Sequence, residues 1–169
     1  MGRRNASTEF LKECIADALI KCMREKPFEK ITIQELAGVA NVGRATYFRN
    51  FSSKDQVLTF KLICLWERWA KERDIQETDK YSMDHAVYFF QFIYSIRELY
   101  RLICACGRQA AIYDAFYQIM MPPPNATPLQ RYRNRFLSYG LFGLLDEWGK
   151  RDFAESPEEM ADMVMNRIL

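Results

Sequence analysis

Histidine is nearly absent: His85 is the single one among 169 residues. The five cysteines, Cys14, Cys22, Cys64, Cys104 and Cys106, are odd in number and contain no CxxC pair. With no Cys/His cluster, no structural metal site is expected. With no polar constellation around His85, no catalytic triad is expected either, so neither an enzyme nor a cofactor-dependent protein is indicated. No stretch approaches the roughly 20 apolar residues that a membrane span requires. No alternating apolar and polar run marks a strand, and no internal repeat is visible. The opening Met1-Gly2-Arg3-Arg4-Asn5 runs into a polar segment without an apolar core, so no signal peptide is expected and the expected compartment is the cytoplasm. Most of the cysteines sit among apolar neighbours at helical spacing, the pattern of buried, reduced thiols. Cys104 and Cys106 are two residues apart, and side chains at that spacing do not face each other on a helix.

What is present is helix after helix. Hydrophobic residues make up 49% and charged residues 27%, a balance that suits one or two small domains with cores of their own. The net charge of +2 hides an asymmetry: residues 1–61 carry 11 Lys and Arg against 7 Asp and Glu, and the remainder carry 13 against 15. A basic first third on a slightly acidic chain has the right sign for a polyanionic partner.

Phe10, Leu11, Cys14, Ile15, Ala18, Leu19, Cys22 and Met23 recur at three- and four-residue steps. They predict a helix from Ser7 or Thr8 to Glu25, stopped ahead of Pro27. Thr32-Ile33-Gln34-Glu35 reads as a capping box that starts a short helix with Ile33, Leu36, Ala37 and Ala40 on one face. Asn41 breaks it, since asparagine tolerates the left-handed turn conformation. Gly43 begins a second short helix carrying Arg44 through Phe51. Ser53-Lys54-Asp55-Gln56 caps a longer one, with Val57, Leu58, Leu62, Leu65, Trp66 and Trp69 as its buried stripe. A solvated charged run follows from Lys71 to Lys80. Residues 82–106 are aromatic and apolar, Gly107 is a stop, and a helix covers about 109–121. Pro122-Pro123-Pro124-Asn125 marks a loop. Thr127-Pro128-Leu129-Gln130 and Ser156-Pro157-Glu158-Glu159 are further starts with proline at the first helical position. The helix from the first of these is expected to end at Gly149, and the last helix carries Met160, Met163, Val164 and Ile168.

The informative unit is residues 32–54. Two short helices joined by a tight turn match a helix-turn-helix, whose second helix enters the major groove. Ala37 is small where the two helices approach, and Val42 is apolar beside the turn. Arg44 opens the second helix, from which its forked guanidinium can read a guanine. Thr46, Arg49 and Asn50 add donors, and the Ser53/Lys54 helix start offers amides and a cation to a phosphate.

The residues Lys26-Pro27-Phe28-Glu29-Lys30-Ile31-Thr32-Ile33, Leu36-Ala37, Asn41 through Phe51 and Ser53 through Leu58 together resemble the DNA-binding domain of the TetR (tetracycline repressor-like) family. Tyr139-Gly140 through Leu145, Trp148-Gly149 and Ser156 through Met160 resemble the last two helices of a C-terminal domain common in that family. The resemblance implies an all-α fold: an N-terminal three-helix helix-turn-helix domain (residues 1–52), a connecting helix (53–77) and a C-terminal helical ligand-binding and dimerisation domain (78–169). It implies a regulator, usually a repressor, that binds a near-palindromic double-stranded DNA operator as a homodimer and is released by a small-molecule effector. Thr32 would contact phosphate, Arg44 and Ala45 would face bases, and Thr46 would contact phosphate or a base edge. Arg49 and Asn50 would hold the DNA backbone, Lys54 would clamp a phosphate, and Arg3 and Arg4 could form a minor-groove arm. The family usually has glycine where this chain has Asn41, and a cap such as serine where it has Gly43. It commonly has an apolar residue followed by a phosphate-binding tyrosine where this chain reads Tyr47-Phe48. Either Tyr47 replaces that contact from another angle or the contact is missing. A family member with weakened DNA contacts that works as a protein-binding adaptor is the alternative reading.

The expected dimer face lies on the last two helices: Gly140, Leu141, Leu144, Leu145, Trp148, Met160, Met163 and Val164. Gly140 and Gly143 each cost about 1 kcal/mol mid-helix relative to alanine, which close helix–helix approach would explain. The ligand pocket implied by the resemblance has Tyr88, Phe89, Phe92, Tyr113, Phe116, Tyr117 and Met120 as lining candidates, with an apolar or aromatic molecule as the favoured occupant.

Overall fold

The computed structural model describes residues 2–75 and 86–168, with side chains from residue 7 in the first segment and from 87 in the second. Arg3, Arg4, His85 and the part of the charged run beyond residue 75 lie outside the described side chains. The fold is all-α, and the described residues contain no strand. The helices are α1 (Gly2–Glu25), α2 (Ile33–Val39), α3 (Arg44–Asn50), α4 (Lys54–Glu72), α5 (Ala86–Ser95), α6 (Arg97–Ala105), α7 (Gln109–Ile119), α8 (Pro128–Lys150) and α9 (Pro157–Met163). A 3-10 turn, Phe28–Lys30, separates α1 from α2, and a π turn, Val164–Ile168, follows α9.

α1 begins ahead of the Ser7/Thr8 start read from the sequence, because no residue between Gly2 and Ser7 forbids helical geometry. The start signals at Thr32, Ser53, Thr127 and Ser156 each act as N-caps. Their hydroxyls accept from the amides of Glu35, Gln56, Gln130 and Glu159. At Thr127 and Ser156 the N3 side chain also reaches back to the cap amide, which completes the capping box.

α4 lies between α1 on one side and α7 on the other. Val57, Leu58, Leu62, Trp66, Trp69 and Ala70 are buried there, in one continuous core that runs from Ile15 and Leu19 of α1 to Ile112 and Phe116 of α7 and on to Leu145 and Trp148 of α8. Polar staples fix the register. The Lys61 ammonium donates to Asp17 of α1 at 2.6 Å, Arg68 reaches Glu13 at 2.8 Å, and the Thr59 hydroxyl donates to the Ala111 carbonyl at 3.3 Å. The aromatic stretch 82–106 is two helices rather than one. The chain turns at Ile96, whose amide is shared between the carbonyls of Phe92 and Ile93.

Gly149 does not end α8, which continues to Lys150. The left-handed residues that stop it are Asp152 (φ 58°) and Phe153 (φ 57°). Gly149 serves packing instead. A Cβ there would stand 2.5 Å from Cε1 of Tyr100, a buried ring whose hydroxyl donates to the Leu145 carbonyl at 3.2 Å. Gly149→Ala is therefore expected to lower stability by about 1–3 kcal/mol despite alanine's better helix propensity, because the Tyr100 ring must leave its site. Denaturant unfolding checks this, and an unchanged or raised midpoint would contradict the close contact.

Candidate nucleic-acid interface

The turn between α2 and α3 is a Schellman motif. Asn41 takes a left-handed conformation (φ 53°). Its amide donates to the Gly38 carbonyl at 3.1 Å, and the Val42 amide donates to the Ala37 carbonyl at 3.0 Å. The sharp reversal puts Val42 against the core and buries Ala37 between the helices. Gly43 N-caps α3 in an extended conformation. Glu35, at the start of α2, pairs with Lys26. That ion pair, with a hydrogen bond from the Thr32 backbone as a lesser cause, holds its carboxyl below the usual range.

α3 presents a mixed face to solvent. Arg44, Ala45 and Arg49 are exposed and Thr46 is half-buried. Thr32, at the start of α2, is exposed as well. Asn50 is half-buried, and its amide donates to the Thr46 carbonyl at 2.7 Å, so that donor is used inside the helix.

Two of the sequence-predicted contact residues are not placed on the exposed face. Tyr47 is buried to 2% exposure, packed edge-on to Phe48 and tilted against Phe51. Burial pushes its phenol pKa up. The side chain belongs to the core rather than to the exposed face, and Phe48, at 58% exposure, takes the outward position. Lys54 is half-buried. Its ammonium donates to the carbonyls of Phe28 and, at 2.8 Å, Ile31, and lies 4.5 Å from the centre of the Phe28 ring. Partial burial lowers its pKa. It caps the carbonyls of the 3-10 turn, which sequence reasoning missed because both partners lie more than twenty residues upstream.

Arg108, which follows the left-handed Gly107 (φ 67°) between α6 and α7, also meets Phe28. Its guanidinium lies 4.5 Å from the Phe28 ring centre, pairs with Glu29 and approaches Asp55 at 4.0 Å. Glu29 titrates below its ordinary value. A backbone hydrogen bond is the largest cause, and the one from Arg108 is the next.

The expected dimer face is also revised. Leu145, Trp148, Met160 and Val164 are buried within the chain itself. Trp148 packs against Phe90 and Phe153, and its indole N–H donates to the Glu155 carbonyl at 3.0 Å. Leu141, Leu144 and Met163 are half-buried against the same core, and Gly140 alone of the eight is exposed. The reason is that α9 packs against α5 of its own chain. The open face of α8 carries Leu129, Tyr132, Phe136 and Tyr139, all between 59% and 77% exposed, with Gly140 and Gly143 beside them. Their three- and four-residue spacing was available in the sequence.

The pocket candidates fall into three groups of contacts. Tyr88 and Phe92 pack with Trp69 between α4 and α5. Phe89 and Phe116 meet across α5 and α7 at 4.8 Å. Tyr113 and Tyr117 turn towards α8, where Arg135 donates to the Tyr113 hydroxyl at 2.8 Å and lies 3.9 Å from the Tyr117 ring centre. Met120 is half-buried after α7. A cavity of about 160 Å³ opens beside the first group, lined by Leu65, Arg68, Trp69, Glu72, Phe92, Ser95 and Ile96. The cysteines stay unpaired. Burial raises the pKa of Cys22, Cys104 and Cys106, and that of Cys64 to about 11, which keeps these thiols protonated.

A comparison with the curated proteins gave no match. Two family models do match: "Bacterial regulatory proteins, tetR family" over residues 15–59, and "Transcriptional regulator C-terminal region", of the TetR type, over residues 82–169. The first spans the helix-turn-helix and the second more than half of the chain, so the protein belongs to the TetR family of transcriptional regulators.

Proposed function

We propose that the protein binds a near-palindromic DNA operator as a homodimer and represses transcription until a small apolar effector releases it. Residues 1–52 would contact DNA, the helix from 53 would connect, and residues 78–169 would dimerise and sense. The observation that carries the reading is α3. It is a short helix on a Schellman turn, one side locked in the core by Tyr47 and the other offering Arg44, Ala45, Thr46 and Arg49. Arg44 is assigned to a guanine edge, Arg49 and Thr32 to phosphates, and Ala45 to close approach. If an effector binds near α4 and α5, its action is a shift between dimer geometries that do and do not match successive major grooves.

The aromatic stripe of α8 is assigned to the second copy. Within one chain nothing lies within 4 Å of a Cβ added at Gly140 or Gly143. The monomer therefore gives no packing reason for two mid-helix glycines, whereas a partner helix crossing there does. Tyrosine, phenylalanine and arginine are also the side chains that anchor interfaces.

Selection of random duplex DNA by the purified protein is expected to enrich a near-palindrome, bound with a steep salt dependence. Arg44→Ala is expected to weaken that site about tenfold or more and to relax specificity at one base pair per half-site. A folded dimer that enriches nothing would instead favour a protein-binding adaptor, the reading that the outward Phe48 supports.

Lys54→Ala is expected to act through stability, lowering it by about 1–2 kcal/mol, because the Ile31 carbonyl loses its lysine donor and the Phe28 carbonyl keeps only the Ile31 amide. The slope of log affinity against log salt stays that of the wild type. A slope reduced by about one unit would return Lys54 to the phosphate contacts.

Phe136→Glu is expected to convert the dimer to a folded monomer in sedimentation, and Gly140→Ala with Gly143→Ala to weaken the dimer. A dimer indifferent to all three would move the interface elsewhere.

A further inference from the structure

Phe48 sits in the middle of α3 with more than half of its surface in water, while its neighbour Tyr47 fills the core. A single exposed aromatic on a protein surface is ordinary. This one, however, lies one helical turn after Arg44, on the same face, and the Arg44 guanidinium stands 5.5 Å from its ring centre. The two side chains form one unit: a forked cation over the face of a ring whose edge remains open. No hydroxyl is present, so the unit has one polar end and one apolar end. It faces away from the core, which Tyr47 and Phe51 fill from the inner side.

Resting on the reading of α3 as the recognition helix, we infer that Phe48 is a specificity-determining residue that packs against the C5-methyl group of a thymine next to the guanine read by Arg44. A phosphate offers the ring nothing. In the major groove the thymine methyl is the apolar group that a base pair displays, and cytosine, guanine and adenine present donors and acceptors that a phenyl ring would strip of water. Four residues advance α3 by about 6 Å, which places the methyl about one or two base steps from the guanine. The cation over the ring holds it against rotation away from the groove. Where a tyrosine at this position would spend its hydroxyl on the DNA backbone, Phe48 spends its edge on sequence.

The test is a deoxyuridine scan of the selected duplex, since uracil differs from thymine by that methyl alone. With wild-type protein, replacing one thymine per half-site is expected to weaken binding about fourfold, the worth of one buried methyl group, and replacing its symmetry mate as well about fifteenfold. The sensitive thymine lies beside the guanine whose discrimination Arg44→Ala relaxes. Phe48→Ala abolishes the uracil penalty, and Phe48→Leu, which keeps apolar bulk, retains part of it. Equal tolerance of uracil at every position, with tight binding preserved, would overturn the inference and leave the operator reading standing. A penalty that persists in Phe48→Ala would also overturn it, by giving the methyl to another residue. Failure of any duplex to bind a folded protein would sink the operator reading itself and this inference with it.

Discussion

Burial of α4 on two opposite sides governs this molecule. α1 covers one flank and α7 the other, so the helix that follows α3 is also the spine of the C-terminal helices. Trp66 and Trp69 stack at 5.7 Å and meet Phe92 from α5, while Val57 and Leu58, a few turns earlier, close the core under Tyr47 and Phe51. Each such side chain contributes about 1.5–3 kcal/mol when fully removed from water. Close-packed interiors transmit displacement rather than absorb it. The orientation of α3 is therefore tied to α7, and Arg108 adds a second tie by bridging the α6–α7 turn to Glu29 and Asp55.

The sequence carries the helix starts more legibly than the stops. A cap hydroxyl, an N3 acid or amide and an N1 proline are local chemistry, and all four starts read from them hold. The stops after α2, α4, α6 and α8 use one device, a left-handed residue with paired back-bonds, but glycine fills it only at Gly107. Asn41 was readable as a breaker. Asp74 and Asp152 were not, since aspartate is as common in a helix's solvated face as in a left-handed turn. Gly149, which reads as a stop, is held in place by a ring from α6 that is far away in sequence.

The candidate site divides in the same way. Arg44, Ala45, Arg49 and Thr32 are outward where their spacing put them. Tyr47 and Phe48 are adjacent and both aromatic, so pattern alone does not say which faces in. About 100° of helix rotation separates them, and the core decides. Lys54 reads as a surface cation until the 3-10 turn folds back to present two carbonyls to it. On α8 the apolar residues nearest the glycines look interfacial, yet α9 folds onto α5 and those residues serve the chain's own core. What remains open is the aromatic stripe one face around.

The most direct test of the account is a hydroxyl-radical footprint of the full-length protein on the duplex that it selects. A two-fold dimer with α3 in successive major grooves protects two stretches on one face of the DNA, centred about one helical turn or a multiple of it apart. Protection of a single stretch, or of both faces without periodicity, would contradict the proposal that α4 and the α8 face hold two recognition helices in register.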